Sequence, residues 1–452
     1  MATQALADRT VSLTYTSLPQ EVIHAAIRSF YNWAGCTVGG SAHPATTIAR
    51  KTLARFSGPA TSRLLGSDGG VDVDAMHAAL LNGIASHVHD YDDTHLDTII
   101  HPTGPVASAL LAIVETLDRP VSGEEFITAL VAGVEAECKI GLAVWPDHYD
   151  VGWHITSTTG SIGAAIATSK ILNLPPTQTA HAIGLAATQV TGLREMFGSH
   201  TKSFHPGRAA QNGLLATLLA AEDFTSSTTA LEAKRGWANV VSTSHRLDEQ
   251  IGSLGVEGRW EIARNAFKPF PCGIVVHPVI DGCIRLREML VKEGIDVERV
   301  AGVRVEVHPL VVELTGKTEP RDGLEGKFSV YHGGAVGLLF GRATPAQYED
   351  DVVVDPRVVA VRKKIEVKVD PESRADECFI EARVDGRDWS LKTVYVEHAL
   401  GSLERPMTDE QLTEKFLDQC LPVLGQERAE KASQWCWGLE KLVDVRCIKD
   451  VL

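Results

Sequence analysis

The stretch Thr156–Leu172, TSTTGSIGAAIATSKIL, decides how the chain is read. Its Gly160, Gly163, Ala164, Ala165 and Ala167 put little bulk on a helix, and such surfaces let helix axes close to the short end of the usual ~8–10 Å. Two further stretches share the composition. Thr177–Thr191 carries Ala180, Ala182, Gly184, Ala186 and Ala187, and Arg208–Glu222 carries Ala209, Ala210, Gly213, Ala216, Ala220 and Ala221. From about Glu21 to Arg264 the pattern stays helical, broken by Gly, Pro and Ser/Thr and not by hairpin turns, and it has no fixed repeat period. The expectation is a dense helical domain rather than a solenoid.

The pattern changes at Phe267-Lys268-Pro269-Phe270-Pro271-Cys272-Gly273, a Pro/Gly-punctuated boundary. One amphipathic helix, Val275–Glu293, follows. The period then becomes two: Val303, Val305 and Val307; Ile365, Val367 and Val369; and Ile380, Ala382 and Val384 each alternate with charged residues. Asp385-Gly386-Arg387-Asp388 reads as a hairpin turn into a strand from Trp389 to Val396. Past Pro406 the helical pattern returns, with Thr408 and Gln411 spaced as a capping box. The sequence therefore predicts a mainly α protein. Its large all-helical domain combines 1–267 with the C-terminal return 405–452, and 268–404 forms an inserted, smaller α+β lid domain.

The chain has 452 residues, with 43 Lys plus Arg against 58 Asp plus Glu, a formal charge of −15. An acidic chain without a basic block offers no footprint for nucleic acid, and the same argument disfavours acidic membranes. No run approaches the ~18 apolar residues of a membrane span. The eight cysteines are scattered without a Cys-x-x-Cys pair, which predicts reduced thiols. Neither a signal sequence nor a transit peptide is read in Met1–Pro19, so the expected location is the cytoplasm. Gly160-x-x-Gly163 lacks a preceding strand and a third glycine. Gly316-Lys317-Thr318 lacks the upstream glycine of a phosphate loop. No nucleotide, flavin or other cofactor is expected.

Polar density peaks between His87 and His101, where His87, His89, His95 and His101 stand among Asp90, Asp92, Asp93 and Asp97. A solvated face would mix Lys and Glu, whereas His with Asp gathers at acid/base and metal sites. Two chemistries fit. His89-Asp90 could belong to a metal-dependent phosphohydrolase of the helical HD type, with His77 upstream. Alternatively the cluster performs metal-free general acid/base catalysis on a substrate held by cations elsewhere. Gly152-Trp153-His154 runs into the hydroxyl-rich start of a helix, a place that favours anions. His200-Thr201-Lys202-Ser203-Phe204-His205-Pro206-Gly207-Arg208 reads as a second anion cradle preceding a helix. Lys268 stands between Phe267 and Phe270, and Tyr331-His332 follows Phe328.

Taken in order, Asp90-Tyr91-Asp92-Asp93-Thr94, His101-Pro102, Gly152-Trp153-His154, Thr201-Lys202 before Gly207-Arg208-Ala209-Ala210, and Phe267-Lys268-x-Phe270-Pro271 resemble the MmgE/PrpD family over nearly the whole chain. Gly273 departs from members that carry a His there. The resemblance implies a homodimer doing cofactor-free and metal-free chemistry on a di- or tricarboxylate in the cleft between the domains. The reaction would be dehydration of a 2-methylcitrate-like acid or decarboxylation of a cis-aconitate-like acid, or else epimerisation of an imino- or amino-dicarboxylate. Carried over by residue, it assigns proton transfer to His101 and His154, with Asp90 orienting a histidine. Lys202 and Lys268 become a cationic clamp, and Thr94 and Tyr331 bind substrate. A chain of charge −15 that binds polyanions must gather cations in one cleft, with Lys202, Lys268, Arg208 and the histidines available.

Overall fold

A computed structural model describes residues 1–67, 69–256, 258–384 and 392–452. The larger part is built from α1 (Gln20–Gly40), α2 (Ala75–His87), α3 (Thr103–Val114), α4 (Gly123–Val144), α5 (Ile155–Ile171), α6 (Pro176–Ala187) and α7 (His200–Ala221). Ser122 and Glu125 close a capping box at the start of α4. The small residues act as their spacing predicts: a Cβ on Gly213 of α7 would stand 2.5 Å from the Cβ of Ala164 on α5. A Cβ on Gly83 of α2 would stand 2.5 Å from the Cα of Gly207 on α7, so only a glycine pair allows this crossing. That contact brings the end of α2 against the beginning of α7, where the site lies.

The helix after the second cradle begins earlier than expected. α7 starts at His200, so His200–Arg208 forms its first two turns instead of a preceding loop, with Pro206 inside the helix. Pro206 is the seventh residue of this helix, past the four orphan N–H groups, so it leaves the Lys202 carbonyl without its i→i−4 donor.

A two-stranded ladder fastens distant segments. β1 (Asp93–His95) pairs antiparallel with β2 (Asn265–Phe267), in the register Asp93↔Phe267, Thr94↔Ala266 and His95↔Asn265. Beyond it lie α8 (His277–Lys292), β3 (Val300–Val307), α9 (Val330–Phe340), β4 (Ile365–Val369), β5 (Cys378–Val384) and β6 (Lys392–Val396). The strands form one sheet in the order β4-β3-β5-β6, parallel between β3 and β4 and antiparallel elsewhere. Along β5, Cys378, Ile380, Ala382 and Val384 are buried and alternate with half-buried neighbours, as a period of two requires. The expected turn at 385–388 and the strand start at Trp389 lie outside the described residues.

Finally α10 (Asp409–Leu424) and α11 (Gln426–Trp437) pack on α1. Tyr31 stacks on Phe416 at 4.4 Å and on Trp437 at 4.3 Å. Thr408 and Gln411 form the box at the head of α10. One hydrophobic core joins residues from Leu18 to Phe267 with Met407–Leu452, and a second holds residues from Phe270 to Val396. The fold is mainly α. No disulfide joins the eight cysteines. Among the described residues no helix is long and apolar enough to cross a membrane.

Candidate active site

Helix α2 ends at His87, and Asp90 turns the chain at φ 51°. Aspartate is among the few non-glycine residues that accept the left-handed region readily. The β1/β2 ladder then lays Lys268, just past Phe267, beside Asp90. From the other side the first turn of α7 delivers Lys202, and the N-cap of α5 delivers His154. Asp90, His101, His154, Lys202 and Lys268 line one cavity with an empty volume of about 460 Å³; Phe197, Ile274, Val275, Leu314 and Phe328 are among its apolar walls.

The Asp90 carboxylate is shared by two ammonium groups, Lys268 Nζ at 2.5 Å and Lys202 Nζ at 3.0 Å from Oδ1. Burial pushes Asp90 up, but the two lysines outweigh it and hold the carboxyl well below its ordinary range. Asp90 therefore organises cations, in contrast to the expected pairing with a histidine. That pairing falls to Asp92, whose Oδ2 is 2.7 Å from His87 Nδ1 and whose Oδ1 is 3.4 Å from His101 Nδ1.

The hydrogen bonds fix the tautomers. Beside a carboxylate, His87 carries its proton on Nδ1, so its Nε2 accepts from Lys202 Nζ at 3.0 Å. His101 donates from Nδ1 to the Asp93 carbonyl at 2.7 Å, which leaves Nε2 as its lone-pair nitrogen. His154 and His205 meet through their Nδ1 atoms at 2.9 Å. Burial, helped by the nearby lysines, holds His87, His101 and His154 below the usual imidazole range and brings His205 to about 4. Burial also lowers Lys202, against the pull of Asp90. With the imidazoles neutral, the ionised lining is Lys202 and Lys268 against Asp90, a net charge of +1 in a chain of −15.

The remaining candidates sit elsewhere. Thr94 is fully buried behind His101, its Oγ1 3.4 Å from Nδ1. Tyr331 is half-buried on α9 against the second core and is not among the cavity-lining residues. Arg208 points along α7 to Gln211 and is not part of the lining either. His87, Asp92 and His205 carry no assigned role in the sequence reading, although their signals are present. The first two lie in the dense His/Asp stretch. His205 follows Lys202 by three residues, hence on one helix face once α7 is seen to begin at His200.

Of possible metal donors, His87, Asp92 and His101 approach within 4.8 Å of one another. In the tautomers above both histidines turn a protonated Nδ1 toward Asp92, so neither offers a lone pair beside that carboxylate. The His89-Asp90 dyad does not assemble: His89 Nε2 lies 3.2 Å from the Gly39 carbonyl, while Asp90 serves the lysines.

Family comparison gives two matches, the MmgE/PrpD N-terminal domain over residues 4–250 and the MmgE/PrpD C-terminal domain over 270–439. A cis-aconitate decarboxylase of Aspergillus terreus is 25% identical, covering 98% of this chain and 94% of its own. The human cis-aconitate decarboxylase is 25% identical over 100% of this chain and 94% of its own. The 2-methylcitrate dehydratase of Escherichia coli K12 is 24% identical over 80% of this chain and 79% of its own.

Proposed function

The chain belongs to the MmgE/PrpD family, and from that premise we propose that it is a cofactor-free lyase of di- or tricarboxylates, with decarboxylation of a cis-aconitate-like acid as its reaction. The observation that carries this reading is the pair Lys202 and Lys268 converging on Asp90, with neutral His101 and His154 on the same cavity wall. Two ammonium groups pre-set around one carboxylate suit an incoming carboxylate at no further ordering cost. Full-length similarity to decarboxylases supports carbon dioxide loss over dehydration, and so do the apolar lining residues Phe197, Phe328 and Leu314, the first two packed beside Lys202. A departing carboxylate loses its charge, and dry apolar surface favours the neutral product.

In this mechanism the C–C bond to one carboxylate breaks and its electron pair moves into the neighbouring alkene. One alkene carbon takes a proton and carbon dioxide leaves, so a trianion plus one proton becomes a dianion plus carbon dioxide. His101, through Nε2, or His154 delivers that proton after the substrate's charge has drawn it onto the ring. Lys202 and Lys268 hold the carboxylates that stay. Asp90 holds the lysines apart and in place, Thr94 supports the His101 ring, and Tyr331 closes on substrate from the smaller domain. We propose a homodimer in the cytoplasm.

The test is product analysis of the purified, chelator-treated protein with cis-aconitate, 2-methylcitrate and iminodisuccinate in turn. Carbon dioxide and a singly unsaturated dicarboxylate from the first are expected. Water loss from the second alone would move the assignment to a hydro-lyase, and epimerisation of the third alone to an isomerase. Inactivity on all three would overturn the reading.

A further inference from the structure

Beside the catalytic cavity lies a larger pocket open to solvent, with about 1120 Å³ of empty space. The two share Ile99, Ile274 and Val275 as lining, so these three side chains are their common wall. Leu96, Trp145, Pro278, Leu310, Leu400 and Leu403 make much of the second chamber apolar. Among the described residues it has no Lys or Arg in its lining. Of its three acids, Asp97 pairs with Arg264 and Asp376 with His398, neither partner lining the pocket, and the exposed Glu404 stands 3.8 Å from the same His398. His277 is buried in its wall with neither ring nitrogen in hydrogen-bond geometry. A carboxylate finds cations in the first chamber and none in the second.

The partition has two unusual members. Ile99 sits at φ 58°, in the left-handed region where a β-branched residue is a true outlier. Such strain persists only where the surroundings impose it. Gly273, next to Ile274, lines the catalytic side, and a Cβ there would come within 2.9 Å of Thr315 Cγ2. The glycine leaves room for Thr315 on the catalytic side of the wall.

We propose that the second chamber receives an apolar substituent of the substrate, so that the preferred substrate is a polycarboxylate bearing an alkyl or aryl chain. The inference rests on the lyase reading of the first cavity and narrows its substrate class. The carboxylates anchor at Lys202 and Lys268, and the chain passes Ile99 into the second chamber. Opposite polarity on the two sides of one wall fixes the orientation.

The experiment compares kcat/KM for cis-aconitate with that for analogues carrying propyl, pentyl and heptyl groups on a chain carbon, in the wild type and in Ala375→Trp. Ala375 lines only the second chamber of the two. Burial of one methylene gives about a fourfold gain, so a rise of roughly two- to fourfold per added methylene is expected in the wild type. In Ala375→Trp the unsubstituted acid should turn over as in the wild type, which also reports correct folding, while the gain with length disappears. A flat or falling series in the wild type overturns the proposal and leaves the lyase reading intact if cis-aconitate is turned over. Equal losses for short and long acids in Ala375→Trp overturn it too. Should Ala375→Trp fail to fold, Ala399→Leu in the same lining takes its place with the same criteria. Turnover of no carboxylate by the wild type removes the lyase reading and this proposal with it.

Discussion

Lys202 and Lys268 face the cavity with the Asp90 carboxylate between them, whereas Lys327 and Lys415, one layer behind, are as deeply buried but, among the described residues, donate only to neutral oxygens and lie over the rings of Tyr348 and Tyr91. Lys415 Nζ donates to Asn32 Oδ1, the Tyr91 carbonyl and the Lys268 carbonyl at 2.6–2.8 Å. Lys327 Nζ donates to the His89 carbonyl at 2.9 Å and the Pro271 carbonyl at 3.3 Å. Burial pushes both down to about 8. The rear pair thus staples segment 89–91 to segment 268–271, the two pieces of backbone from which Asp90 and Lys268 project. The front pair holds a carboxylate that another carboxylate can join. Burial and charge are the same in both layers, and the partner separates a brace from a binding group.

Removing a front lysine tests this most severely. Lys202→Met is expected to lower kcat/KM by roughly 10²–10³-fold, the cost typical of losing one pre-set donor to developing charge. Its urea transition should stay within about 1 kcal/mol of wild type, because Asp90 keeps Lys268. A large loss of stability with it would place Lys202 among the braces. Lys415→Met should do the reverse. Its three acceptors lose their donor, at about 1–3 kcal/mol for each one left unmet, offset by no longer burying an ammonium. The net expectation is a loss of about 2 kcal/mol in denaturant unfolding and no more than about a tenfold fall in kcat/KM. Intact stability with abolished turnover would erase the distinction between the layers.

The front layer was largely legible in the sequence and the rear layer was not. Asp90, His101, His154, Lys202 and Lys268 stand out because residue type and local density advertise chemistry, and a resemblance across the chain orders them. Lys415 sits in the middle of α10, where a lysine reads as a solvated face, and only the packing of α10 on α1 reveals its burial. Lys327 likewise had no local signal. The exchange of roles between Asp90 and Asp92 depends on one left-handed residue at the end of α2, which points Asp90 at the lysines and Asp92 at His87. The start of α7 was displaced by Pro206, normally a stop signal, here tolerated within the first turns. The mainly α class, by contrast, follows from small-residue spacing and the switch from helical to twofold period, both of which survive without tertiary information.

Protonation separates the layers by the smallest effect. Burial holds His43, His148, His205 and His332 at about 4 and His89 and His277 at about 3, below the ~6.5 of an unfolded chain. A base with a lowered folded pKa adds stability above its unfolded value, and that stability is lost as pH falls toward the folded value. Asp93 at about 6, and Glu115 and Glu135 at about 7, are raised mainly by burial and act in the opposite sense, but are outnumbered. The urea midpoint should therefore fall between pH 6.5 and 4.5. The rear lysines contribute on the other side, adding stability as pH rises from about 8 toward 10.4. A bound polyanion changes only the front layer, because its charge favours the protonated form of His101 and His154, which face it, and leaves Lys327 and Lys415 with their carbonyls. Titration calorimetry of a non-reactive tricarboxylate at pH 7, in two buffers of different ionisation enthalpy, should then show uptake of about one proton per site and an affinity falling up to about tenfold per pH unit. His154→Gln should reduce that uptake, and Lys415→Met should leave it unchanged. Zero uptake in the wild type would mean that the neutral imidazoles are a permanent feature of the cavity and do not supply the proton.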